Sequence, residues 1–210
     1  MFKCVNSPAH RALLRRTVII VALLNLTYFF VEGVVALSIG SVSLLADSVD
    51  FFEDFAVNML IALALGWSAL WRARAGKVAA GIILLPAIAA VTQIIAKFPN
   101  PDAPDWFTLL ITAGGAIVVN FICALILARF REGSGALTKA AFLAARNDVF
   151  ANIAIIAMAG LTAWTHSGWP DIILGALILL LNATAAKEVY ETAHSETLAA
   201  RAEAGDFDCD

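Results

Sequence analysis

Six apolar stretches, each long enough to cross a hydrocarbon layer, leave this chain little room to fold any other way. A bilayer core about 30 Å thick takes about 20 apolar residues in a helix, and such stretches fall at roughly 13–38, 43–70, 76–97, 105–130, 137–165 and 169–193. Lipid offers no partner for a backbone N–H or C=O, so each stretch must satisfy its own as a helix. The 210 residues are 61% hydrophobic and 15% charged, a balance foreign to soluble domains. The reading is all-α: a six-helix transmembrane bundle over 13–193, preceded by a short cytoplasmic segment, 1–12, and followed by a short cytoplasmic tail, 194–210.

The breaks between stretches carry helix-ending and helix-starting residues: Gly40-Ser41, Pro99-Asn100-Pro101 with Pro104, Gly133-Ser134-Gly135, and Ser167-Gly168-Trp169-Pro170. Basic residues alternate with them. Lys3, Arg11, Arg15 and Arg16 precede the first stretch; Arg72, Arg74 and Lys77 fill the second connection; Arg129, Arg131 and Lys139 fill the fourth; Lys187 and Arg201 lie at and beyond the end of the sixth. The odd connections offer Lys97 alone, which places both termini in the cytoplasm and calls for an even number of spans. The first stretch contains Asn25, Thr27 and Glu32 and no small-residue cleavage site, so it reads as a helix and not as a signal peptide.

A net charge of −3 with no basic patch excludes a nucleic-acid surface. Cys4, Cys123 and Cys209 are too scattered to form a disulfide framework or a thiolate metal site. The acidic tail Asp206-Phe207-Asp208-Cys209-Asp210 reads as a solvated end.

Acids inside apolar stretches need a reason, because a charged side chain at the bilayer centre costs about 2.5–3.5 kcal/mol even on a lenient scale. In the second stretch Asp47, Asp50, Asp54 and Asn58 fall within an arc of about 80° on one helix face. In the fifth, Asp148 and Asn152 stand one turn apart, with Asn147 adjacent and Arg146 nearly opposite. Asp47 fits either a solvated helix start or the acidic stripe. Asp50 and Asp54 lie deeper, and carboxylates one turn apart repel unless a cation or proton sits between them. Asn58, Asn120 and Asn182 suit hydrogen bonding between helices. Glu32, beside Gly33, fits either a protonated packing residue or part of an ion path. His10 and His194 lie in polar flanks and His166 in a turn, away from the acids.

The segment from Gly40-Ser41 through Ala46-Asp47-Ser48-Val49-Asp50-Phe51-Phe52-Glu53-Asp54 resembles the second transmembrane helix of the cation diffusion facilitator family, with its glycine-serine entry and His/Asp-x-x-x-Asp metal pair. Ala144-Ala145-Arg146-Asn147-Asp148 is similar to the family's fifth helix, with Asp148 at the Asp of His-x-x-x-Asp and Ala144 in place of the histidine. Trp169-Pro170-Asp171 resembles the opening of its last helix. The resemblance runs through all six stretches and lacks the family's C-terminal cytoplasmic domain, so the chain looks like a short, transmembrane-only member.

That resemblance implies Asp50, Asp54 and Asp148 as metal ligands, with Asp47, Asn147 and Asn152 as candidate additional ones. It implies export of divalent ions in exchange for protons by a homodimer in lipid, a multi-pass protein of a bacterial-type inner membrane. The metal is cargo, and no tightly bound cofactor is expected. Zinc and cadmium lead; an oxygen-only donor set without the histidine also suits manganese, iron(II) or cobalt. Two rivals use the same residues. An intramembrane aspartyl protease needs two aspartates on different helices, but its glycine-x-glycine-aspartate pattern is absent around Asp148. A noncatalytic scaffold would use the polar residues only to join helices.

Overall fold

The computed structural model describes residues 8–64, 67, 71, 74, 77–78, 81, 88, 90–130 and 136–204. The Gly133-Ser134-Gly135 break, the acidic tail, Cys4 and Cys209 lie outside them. The fold is all-helical with no strand among the described residues: α1 (Pro8–Ile39), α2 (Val42–Ala64), α3 (helical over 90–97), α4 (Trp106–Ala128), α5 (Ala136–Thr165) and α6 (Trp169–Ala204). Three helical segments are long and apolar enough to cross a membrane, Ala12–Ile39, Trp106–Ala128 and Ala144–Thr165, and α6 opens with a shorter apolar segment, Trp169–Leu181. At 23 residues α2 has the length, about 34 Å, but four carboxyl groups dilute its apolar character. Phe30, Val34, Ile111, Phe150 and Leu180 face outward, as lipid-contacting side chains do.

Gly40 ends α1 at φ 66°, and Ser41 N–H donates to the Ala36 carbonyl at 2.9 Å. This is the left-handed glycine closure of a helix, and it turns the chain straight into α2. The Ser41 hydroxyl then accepts from Leu44 N–H at 3.1 Å, the N-cap role. At the start of α4, Asp105 accepts from the N–H and hydroxyl of Thr108, which holds its carboxyl below the usual range. The turn into α6 leans on the 3–4 connection: Gly168 N–H donates to Pro101 O at 2.9 Å, and Trp169 meets Phe98 edge-on at 5.4 Å.

Two apolar clusters pack the bundle at different heights. One joins Leu14, Val18 and Val21 of α1 with Ile61, Leu127, Phe130 and Ala145, at the end that carries the start of α1. The other joins Ala36, Leu44, Leu45, Leu109, Ile155 and Leu174, toward the Ser41 end. The polar residues of α1, α2, α4 and α5 fall between them. Lys77, at the start of the third apolar stretch, lies 3.1 Å from His194 in the far part of α6. Residues 194–204, expected as part of a short tail, continue α6 as helix.

Candidate functional site

The acidic stripe of α2 points inward. Asp47 and Asn58 are fully buried and Asp54 is 5% exposed, while Asp50 and Glu53 are half-buried. Asp47 is thus no solvated helix start. Burial follows from the 100° step of the helix, which turns Asp47, Asp50, Asp54 and Asn58 to the side shared with α1 and α5.

Hydrogen bonds fix this face to its neighbours. Asn152 of α5 donates its Nδ2 to Asp47 Oδ1 at 3.1 Å and to the Asp148 carbonyl at 3.0 Å. Asn25 of α1 donates its Nδ2 to Asp54 Oδ2 at 3.4 Å, and Cys123 of α4 donates its thiol to Asn25 Oδ1 at 3.7 Å. Asn58 donates back to the Asp54 carbonyl at 2.8 Å. Asp47 and Asp54 of α2 are thus tied to α5 and α1, and α4 joins through Asn25.

Asp148, half-buried on α5, lies within electrostatic range of Asp47, Asp54 and Glu53, and Asp50 lies within range of Asp148. No basic side chain pairs with any of these acids among the described residues. Nor do three acidic, histidine or cysteine side chains close into one cage there. Acids facing one another in a water-poor layer with no positive partner can stay charged only by taking up a cation from outside the chain, or else must hold protons.

Other residues singled out from the sequence stand apart. Asn147 is exposed and accepts from Arg146 at 3.2 Å, outside the group. Ala144 is half-buried one turn before Asp148. His166 occupies the α5–α6 turn with φ 51°, and His194 is exposed beside Lys77.

One buried carboxylate has a different duty. Asp171 of α6 accepts from Ser41 Oγ and Ser43 Oγ, each at 2.6 Å, from Val42 N–H at 2.8 Å and from Ser43 N–H at 3.1 Å. Lys97 adds a charge at 3.4 Å. A side chain from α6 thus satisfies the free N–H groups opening α2 and meets the positive end of that helix. Gly175, one turn on, makes room: a Cβ there would fall 2.7 Å from Ser43 N. In the sequence alone Asp171 stands out only within a helix opening and Lys97 only as the lone basic residue of the odd connections. Asn25 and Cys123 carried no signal beyond being polar in an apolar run.

Comparison with curated proteins returns no match. Residues 75–195, more than half of the chain, match the model of the cation efflux transmembrane domain; this region contains Asp148 and leaves out Asp50 and Asp54. An all-helical membrane protein with this match is a transporter of metal cations and not an enzyme, and the chain belongs to the cation efflux, or cation diffusion facilitator, family.

Proposed function

We propose that this chain exports divalent transition-metal ions in exchange for protons, with Asp50, Asp54 and Asp148 binding the ion midway. The observation that carries the reading is the convergence of α2 and α5 acids, buried at Asp47 and Asp54 and half-buried at Asp50 and Asp148, with no basic partner among the described residues. An ion arriving from the cytoplasm displaces protons from the carboxyl groups, the bundle reorients, and protons return from the other side. Carboxylates crowded in low dielectric cannot all ionise without a cation, so ion and proton compete for the same oxygens.

Zinc and cadmium are the first substrates on this reading, with manganese, iron(II) and cobalt admitted by the oxygen donors. The working unit is a homodimer in a bacterial-type inner membrane with both termini cytoplasmic. The test is metal uptake into sealed vesicles carrying purified protein. Asp50→Ala, Asp54→Ala and Asp148→Ala are each expected to abolish uptake while the protein remains folded in detergent. Normal uptake by one variant removes that residue from the site. Assembly failure in place of transport failure favours the scaffold reading.

A further inference from the structure

Glu32 is the least explained residue in the bundle. It is fully buried on α1, and neither carboxyl oxygen has a hydrogen-bond donor among the described residues. Its carboxyl group lies within electrostatic range of that of Asp47. Asp47 is also fully buried, and its Oδ2 has no donor among the described residues either. Asn152, which gives its N–H to Asp47 Oδ1, leaves its own Oδ1 buried and unpartnered.

The nearby donors are already committed. Tyr28 donates its hydroxyl to Thr112 O at 2.6 Å, and Ser48 donates to Leu45 O at 2.7 Å. Lys97 is held by Asp171. The helices approach closely here, since a Cβ on Gly33 would meet Ser48 Oγ at 3.8 Å. That approach lets Glu32 reach α2.

Glu32, Asp47 and Asn152 together carry four buried oxygens with no donor among the described residues, and the amide N–H of Asn152 is already given to Asp47 and to the Asp148 carbonyl. An unpartnered buried polar atom costs on the order of 1–3 kcal/mol, and more when charged, so something positive must belong there. One shared proton would serve one oxygen of each carboxyl and leave the remainder bare. A divalent ion takes oxygens from all three side chains, and its charge offsets both carboxylates. Carboxylate and carbonyl donors without nitrogen or sulfur suit a hard ion such as manganese(II).

We propose that Glu32, Asp47 and Asn152 form a second divalent-cation subsite, one turn from Asp50 toward the Ser41 end of α2. The proposal rests on the transport reading and gives the ion a station between the Asp50–Asp54–Asp148 group and that end of the bundle. Asp47 and Asn152 then belong to this station and not to the first.

The test is equilibrium dialysis of manganese(II) against purified full-length protein in nanodiscs, with bound ion followed by its paramagnetic resonance. Wild type is expected to hold two ions per chain. Glu32→Gln, which keeps shape and removes charge, is expected to lose one and keep the other; Asp148→Ala is expected to lose the other. Should Glu32→Gln not fold, Asn152→Ala serves in its place, with affinity at one of the two sites falling about tenfold or more. Wild-type stoichiometry in these variants overturns the subsite and is the result expected if only a proton resides there; one ion per wild-type chain overturns it as well. The two readings fail separately. Loss of an ion in Glu32→Gln with normal transport by Asp148→Ala defeats the Asp148 site and leaves the subsite standing; the reverse pattern defeats the subsite alone.

Discussion

Asp171 on α6 and Ser41 at the start of α2 are joined by a hydrogen bond of 2.6 Å across 130 residues of sequence. Asp171→Ala strips partners from two hydroxyls and two backbone N–H groups and leaves Lys97 without its counter-ion. Breaking a buried charged network of this kind costs about 3–5 kcal/mol. Thermal unfolding in detergent is expected to show a large fall for Asp171→Ala, and an unchanged midpoint would deny the clamp its structural role.

Glycine contacts offer a sharper control on the same helix pair. Gly175→Ala places a methyl against the backbone of Val42 and Ser43, whereas Gly160→Ala meets nothing within 4 Å. The first substitution is expected to destabilise by about 1–3 kcal/mol. The second is expected to be neutral or to stabilise by up to about 1 kcal/mol, because alanine is the better helix former. Equal unfolding of the two variants would mean that α6 does not lie so close to the start of α2.

Asn25 acts on the proposed site through Asp54, which it orients. Removing such an orienting partner lowers metal affinity by about 10–100-fold in other sites. Asn25→Ala is therefore expected to raise the KM for metal uptake by about that factor while leaving the protein folded. An unaltered KM argues against Asp54 as a ligand oriented in this way.

Selectivity is expected to follow position 144. Ala144→His restores an imidazole one turn before Asp148, on the same helix face, and imidazole is a good zinc ligand. A competition titration is expected to shift toward zinc over manganese. No shift would show that position 144 faces away from the ion and that the ligand set on α5 needs revision.

Orientation rests on charge. Basic residues gather at the chain ends and even connections. Lys97, the exception, is half-buried and paired with Asp171. A reporter fused after Asp210 is expected on the cytoplasmic side, and external activity would reverse the topology.

Much of this was legible in the sequence because it repeats at short range. Apolar runs give the helices, and the 100° step places Asp47, Asp50, Asp54 and Asn58 on one face before any partner is known. What stayed hidden depends on distant residues meeting. Nothing local in Asp171 indicates that it caps α2, and nothing local in Asn25 or Glu32 indicates which carboxylate each will face. That α6 runs on as helix past its apolar stretch has another reason. Alanine, leucine, glutamate and arginine from Leu198 to Ala204 are strong helix formers, so the helix outlasts the apolar run that first defined it.

The acidic layer between two apolar clusters has an electrical consequence. Membrane voltage falls mainly across poorly conducting material, so a charge held in this layer senses part of the field from each side. Carrying one elementary charge through 100 mV is worth about 2.3 kcal/mol, and a divalent ion crossing alone would feel about twice that. A cycle that returns two protons for each ion moves no net charge and ignores the voltage, whereas one proton per ion generates a current. Whether vesicles transporting metal stay electrically silent therefore reads out the exchange ratio directly.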